Sequence, residues 1–309
     1  MKRGLCVAGA MAVAFAGVIN VTVLADDGNS GTAACKGLPT YGQLRAALVA
    51  ATEPLGNQND NGGFGLNMWG TVVNRDGVVC AVAFTGNDRG DQWPGSRVIS
   101  AQKANTANAF SLPGLALSTA NLYSAVQPGG SLFGLQESNP VNIDVAYGGN
   151  PKNNGQANDF MVGGRIGGVN VFGGGLALYG PGKVLLGAIG VSGDSSCADH
   201  NIAWKTRNTL NLDHVPGGVS GDAQRPDNIV YDITPQSGQM PGVSAKGWGH
   251  PECSAAATAI AKTLPIVQPL DVTRRGRRRA PSVRSWQTNF PSETAEFRNS
   301  RCADTIGLR

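Results

Sequence analysis

The stretch that most constrains this chain is GKVLLGAIGVSG, from Gly182 to Gly193, followed at once by DSSCADHNIAWKTR. Val184, Leu185, Leu186, Ala188, Ile189 and Val191 form a nearly continuous apolar run, broken only by Gly187 and Gly190. Such a run predicts a strand buried on both faces, because a strand with one wet face would alternate apolar with polar residues. Its two glycines leave room for another backbone, a flat ligand or a neighbouring subunit. After the glycine turn a helix opens at Ser195 or Ser196, with Ala198, Ile202, Ala203 and Leu210 along one stripe.

The segment RIGGVNVFGGGLALYG, joined by the turn PGK, supplies a partner strand and makes a hairpin. An earlier hairpin reads as LNMWGTVVN, the turn RDG, and VVCAVAFTG. Met68, Val72 and Val73, with Val79, Ala81 and Ala83 opposite, supply its inward faces. Thr40 caps a helix with Leu44, Ala47, Leu48 and Ala51 on one side. After the loop GNDRGDQWPGS, a helix starts at Ser96, and its buried side is predicted to be small: Val98, Ala101, Ala104 and Ala109. A short helix over LSTANLYSAV runs to Pro128. From Gln127 to Gly164 no regular structure is assigned, and a loop of that length is a lid, an interface arm or disordered. The order helix, two strands, two helices, two strands, helix predicts an α/β (α+β) fold, an antiparallel sheet with helices packed on its faces.

The ends of the chain say where it works. Residues 1–25 have a basic start at Lys2 and Arg3, an apolar middle and a small-x-small end at Val23, Leu24 and Ala25, which predicts a cleaved secretory signal and a secreted or periplasmic protein. Residues 26–37 are a flexible start. No later segment reaches the roughly 18 consecutive apolar residues of a membrane span. Residues 211–270, containing a strand predicted over RPDNIVYDI and a short Ala-rich helix next to Cys253, read as an appendage with too few large apolar residues for its own core. Residues 271–309 read as an Arg-rich, disordered tail. The formal charge is +4, but Lys2, Arg3 and the five arginines between 274 and 279 leave about −3 on the rest, so no nucleic-acid footprint is expected.

In an oxidising compartment Cys35, Cys80, Cys197, Cys253 and Cys302 favour disulfides, with one thiol left over. Cys80, inside VVCAVAF, is the expected free thiol. Cys197 with Cys253 and Cys35 with Cys302 is the preferred pairing, although four cysteines permit three pairings and the sequence does not choose. No Cys or His spacing suggests zinc.

Three segments taken together, GTVVNRDGVVCAVAFTGND, PGSRVISAQKANTANAF and GGGLALYGPGKVLLGAIGVSGDSSCADHNIA, resemble the GlcG/HbpS family of haem-binding or haem-degrading domains. Asp76 and Gly77, then Pro94, Gly95 and Ser96, then Lys103, Ala104, Thr106 and Ala107, and finally Gly187 to Gly193 with Asp199, occupy the positions of the family pattern. The resemblance runs from about Leu38 to Leu210. It implies a profilin-like fold of the GlcG kind over residues 38–210, assembly into homo-oligomers, and haem or a similar planar ligand as the partner.

Of the three histidines, His200 follows Asp199 at the start of a helix, where the two suit a haem iron or another metal; otherwise His200 is a solvent-facing helix residue. Lys103, among small residues, suits a haem propionate or another carboxylate, or else is solvated or bridges subunits. Asp199 holds a ligand or a neighbouring subunit, or simply sits well in a first helical turn. His214 and His250 read as loop residues, His250 packed near a disulfide. If the histidines supply no iron ligand, Tyr123 or Tyr147 is left. No catalytic residue is assigned: Ser192 lacks the spacing of a nucleophile elbow, and the glycines of GGVNVFGGG precede a strand where a dinucleotide loop needs a helix. The leading expectation is an extracytoplasmic, oligomeric, non-catalytic haem binder. The alternatives are a haem-dependent peroxide or haem-degrading enzyme, and an accessory subunit of an envelope oxidoreductase.

Overall fold

The computed structural model describes residues 33–53, 58–237 and 239–269. The leader, most of the flexible start, Cys302 and the Arg-rich tail fall outside the described residues. The first helix, α1, spans Tyr41–Thr52, and Thr40 closes a capping box with Gln43. Strands β1 (Trp69–Asn74) and β2 (Val79–Phe84) are joined by a turn in which Asn74 Oδ1 accepts the Asp76 and Val78 N–H groups, both at 2.9 Å. Gly77 supplies the left-handed residue that this turn requires, at φ +75°. Then come α2 (Ser96–Phe110) and a short α3 (Ile143–Tyr147). Strands β3 (Gly175–Gly180) and β4 (Val184–Ser192) and helix α4 (Ser196–Thr209) complete the central unit. A separate hairpin, β5 (Ile233–Gln236) with β6 (Gln239–Ser244), and α5 (Ala255–Thr263) follow.

The four-stranded sheet is antiparallel throughout, in the order β2-β1-β4-β3, so the apolar run read from the sequence is a central strand. Helices cover both of its faces. Met68, Val72, Ala81, Leu176, Ile189 and Val191 pack with α1, α4 and α5, whose share includes Leu44, Leu48, Trp204 and Ala261. Trp69, Val73, Val79, Val82 and Ala188 pack with α2 through Val98, Ala101, Ala104 and Ala107, and with Ala146, Met161 and Ile166. The antiparallel sheet with helices on its faces is the architecture the sequence predicts.

The glycines of the sheet are filled from inside the molecule. Gly190 pairs with Gly175 on one side and Thr71 on the other, and all three face α2. A Cβ at Gly190 would fall on the Ser100 carbonyl oxygen and one at Gly175 on the Lys103 carbonyl, so the helix backbone lies directly on the sheet. Thr71 and Ser100 share a buried hydroxyl hydrogen bond of 2.7 Å across this seam. The backbone that approaches Gly190 is therefore that of α2.

Several local expectations are corrected. Cys80 is bonded to Cys35 and is no free thiol, because the register shift between Val72 and Val73 leaves it without a cross-strand partner, free to turn towards the segment before α1. The pair of Cys35 with Cys302 is overturned by the same bond, whereas Cys197 pairs with Cys253 as expected. Ala109 is exposed, and Lys103 takes a buried place on α2 instead. LSTANLYSAV forms two 3-10 turns, Thr119–Leu122 and Ser124–Val126. RPDNIVYDI opens in a turn at Pro226 and Asp227, and strand pairing begins only at Ile233, after Ile229 and Val230 have been buried.

The seam gives a direct test. Gly190→Ala should cost about 3 kcal/mol or more in urea unfolding, since neither backbone can retreat. Gly42→Ala, in α1 with open space around it, should stabilise by up to about 1 kcal/mol.

Candidate functional site

Lys103 sits mid-way along α2 and Asp199 in the first turn of α4, so the two start on opposite faces of the sheet. Their side chains meet beyond the start of β3. Lys103 Nζ lies 2.6 Å from Asp199 Oδ2 and donates to the Val191 carbonyl at 3.0 Å. Asp199 Oδ1 accepts the Asp194 N–H at 2.8 Å. Gly174, at φ +113°, makes the passage: a Cβ there would stand 3.0 Å from Asp199 Cβ and 3.3 Å from Lys103 Nζ. Burial pushes the Lys103 ammonium down and the Asp199 carboxyl up, and the mutual attraction of the pair opposes both shifts.

His200, the next residue, faces elsewhere. Its Nε2 lies 3.1 Å from the Ile229 N–H and 3.1 Å from Asn228 Oδ1, and its Nδ1 is buried without a partner among the described residues. Burial lowers its pKa to about 4, so the ring is neutral near pH 7. The His200 ring lies tilted 6.0 Å from that of Trp204, which in turn lies under the Arg207 guanidinium at 4.5 Å. Arg207 is paired with Asp227 in full burial, at 2.5 and 2.9 Å. The sequence-predicted trio thus divides: Lys103 and Asp199 form one closed pair, and His200 belongs to a polar seam between α4 and residues 227–230. At 1%, 2% and 0% exposure they present no atom to a ligand outside, and a haem does not fit among them in this conformation.

His250 is packed beside the Cys197–Cys253 disulfide, as read from the sequence, with Tyr123 against its ring at 4.9 Å. Its Nδ1 faces the Pro251 carbonyl at 2.7 Å, so that nitrogen carries the proton and Nε2 accepts from the Ser196 hydroxyl, also at 2.7 Å. Burial lowers its pKa to about 4. His214 has a buried Nε2 without a partner among the described residues.

Sequence reasoning missed the surface around the start of α4. The Phe64 N–H is held by Asp194, and Gln92, next to Trp93, donates to the Gly193 carbonyl. The Gly173 N–H, next to Phe172, donates to Ser196 Oγ at 2.7 Å. Phe64 is thus tied to the turn 193–196 by its own backbone, and Trp93 and Phe172 adjoin residues tied to it; the three are 71%, 54% and 47% exposed. Large aromatics left exposed are a signal of contact with something else. They lie in loops, where no periodicity marks them.

Two outcomes test the buried polar groups. Asp199→Ala strands the Lys103 charge and should cost about 3–5 kcal/mol in urea unfolding, whereas Lys103→Met combined with Asp199→Leu should recover most of it. The second is a pH dependence. His200 and His250 titrate near 4 when folded and near 6.5 when unfolded, so unfolding takes up their protons in between. Asp199, raised from 3.8 to about 6, works in the opposite sense. With two groups against one, stability should fall from pH 6.5 towards 4, by about 1.4 kcal/mol per pH unit for each net proton. In His200→Gln/His250→Gln protein Asp199 acts alone and the slope should change sign.

Several solved structures are similar to this chain over a little more than half of its length. A PduOC:haem complex is 23% identical, with 55% of this chain and 91% of that one covered and a TM-score of 0.37. The Klebsiella pneumoniae protein ORFY is also 23% identical, with 55% and 86% covered and a TM-score of 0.36. HbpS is 16% identical, with 55% and 86% covered and a TM-score of 0.35. No curated protein matches the sequence. The family model for haem degrading protein HbpS-like matches residues 46–207, from inside α1 almost to the end of α4. With more than half of its length matched, this chain belongs to the HbpS-like family.

Proposed function

We propose that this chain is an extracytoplasmic haem-binding protein of the HbpS type that carries haem, or a similar planar ligand, as an oligomer and without a catalytic cycle. The family match supports the ligand class, and a PduOC:haem complex is among the similar structures. The observation that supports a location for it is the exposure of Phe64, Trp93 and Phe172, each of which is bonded to the turn before α4 or adjoins a residue that is. Exposed aromatic faces suit a flat macrocycle, and the N-terminal end of α4 favours the carboxylates at its edge. Beneath the turn, the Asp194 N–H rests on Asp199, so the Lys103–Asp199 pair sets the height and rigidity of this platform. His200 comes into play as an iron ligand only where the contacts to Asn228 and Ile229 open.

An extracytoplasmic location is supported by the two disulfides, Cys35–Cys80 and Cys197–Cys253, which persist in oxidising compartments. Among the described residues no helix is long and apolar enough to cross a membrane. Residues 1–25, read as the secretory leader, lie outside the described residues. Oligomerisation has its best support in a second exposed patch: Ile143 and Tyr147 on one side of α3, with Phe160 lying on Gly148 and Gly149.

Haemin added to the protein should shift the Soret band and quench Trp93 fluorescence at micromolar concentration. Trp93→Ala and Phe172→Ala should each weaken binding about three- to tenfold. His200→Ala should leave the Soret shift in place if the ligand rests on these exposed aromatics, and abolish it if the seam opens to give His200 to iron. Absence of any spectral change would sink the haem reading.

A further inference from the structure

The disulfide between Cys197 and Cys253 has a third member. The two Sγ atoms and a ring nitrogen of His250 all lie within 4.8 Å of one another. Two thiolates and an imidazole at that spacing are a donor set for a thiophilic cation, and only the S–S bond keeps it from being one. We propose that reduction of Cys197–Cys253 converts this corner of the molecule into a Cys2His site for a zinc-type cation, so that the bond acts as a redox gate on metal binding.

Four features favour the conversion. Cys253 is exposed, so an external dithiol can reach its sulfur, whereas Cys197 is buried. Both flanks of the exposed cysteine stay fixed without the bond. The His250 N–H is held by the Val230 carbonyl at 2.8 Å, and Ser254 donates to the Gly62 carbonyl at 2.7 Å and caps α5, which is packed into the core. The three donors are thus kept together by the fold and not by the disulfide alone. His250 brings a ring nitrogen within reach of both sulfurs, and its Nδ1 and Nε2 are held only by the Pro251 carbonyl and the Ser196 hydroxyl, either of which a cation can replace. Finally, the Cys197 N–H points at Cys253 Sγ at 3.2 Å and Cys197 lies in the first turn of α4, and both favour thiolates.

The chemistry balances with one named reagent class. A dithiol gives two electrons and two protons to the S–S bond, which breaks to two thiols while the dithiol closes to its own disulfide. The cation then displaces both thiol protons to solvent and binds the two thiolates and the imidazole. The exposed side at Cys253 leaves a fourth position to water, the arrangement of an open zinc site.

The full chain is treated with a dithiol, freed of it, and titrated anaerobically with Co2+ as a spectroscopic stand-in for Zn2+. A Cys35→Ser/Cys80→Ser background removes the other disulfide. The reduced protein should bind one equivalent with a thiolate-to-cobalt charge-transfer band, displaced by Zn2+, and the oxidised protein should show none. Cys253→Ser and His250→Gln should each weaken binding by at least about tenfold, and Ser196→Ala should leave it unchanged or tighter. Where reduction unfolds the domain, Zn2+ should restore its circular dichroism. A reduced protein that binds no Co2+, one whose band survives Cys253→Ser, or an unfolded one that Zn2+ does not rescue overturns the proposal.

Discussion

The ion pair between Lys103 and Asp199 is the interaction on which the layers of this protein depend. Each residue belongs to a helix on a different face of the sheet, and their side chains meet at Gly174, just before β3. Two charges taken out of water cost several kcal/mol apiece, and the cost is met only if the geometry is fixed and the remaining donors and acceptors are satisfied. The Val191 carbonyl and the Asp194 N–H provide that satisfaction. The pair therefore requires β4 to end where it does, α4 to start where it does, and α2 to lie close on the sheet. The glycines at 174, 175 and 190 meet the last requirement, because a side chain at any of them would displace a helix backbone or the pair itself.

The same solution is used twice more. Arg97, near the start of α2, is buried against Asp159 and also donates to the Ala146 carbonyl at 2.7 Å. Arg207, near the end of α4, is buried against Asp227 and donates to the Ala177 carbonyl at 3.1 Å. In each case a helix that packs on the sheet sends a cation to a carboxylate in a connecting segment, Asp159 or Asp227, and to one backbone carbonyl, of Ala146 in α3 or Ala177 in β3. This accounts for the second half of the stretch from Gln127 to Gly164, which the sequence leaves open between lid, arm and disorder, and for Ile166 just beyond it. Together they carry Ala146, Met161 and Ile166 into the core beneath α2, and Arg97 supplies the polar half of the same anchor. A loop rich in Gly and Asn can be ordered when its few apolar residues and one carboxylate have fixed partners.

This arrangement explains what the sequence discloses and what it does not. Local signals were sufficient for Thr40, whose capping box needs only Gln43, and for β4, whose apolar run needs no partner to be recognised. They also single out Lys103 as a long charged residue among small ones, and Asp199 and His200 at a helix start. What they do not carry is direction. Asp199 and His200 are adjacent in sequence yet turn about one helix by roughly 100°, the rotation of a single residue. One meets α2 and the other meets residues 228 and 229. Cys80 was misread for a related reason: a bulge in β2 changes which way one residue points, and nothing in VVCAVAF marks the bulge. Contacts such as Arg207 with Asp227 depend on where distant segments close, which no periodicity encodes.

The sealed interior also decides where recognition can occur. With the central pair closed and His200 and His250 held neutral by burial, the middle of the domain offers stability but, among the described residues, no open coordination position. The N-terminal turn of α4 is different, because several otherwise separate features converge on it: the carboxylate of Asp194 holding Phe64, Gln92 holding Gly193, Ser196 linking Gly173 to His250, and Cys197 joined to Cys253. Each of these contacts spans a long stretch of chain. A shift of this turn would be felt by the residues that adjoin it, by the ion pair beneath and by the disulfide beside it. The proposed ligand and the proposed reduction of Cys197–Cys253 would thus both act on a shared element only a few residues long.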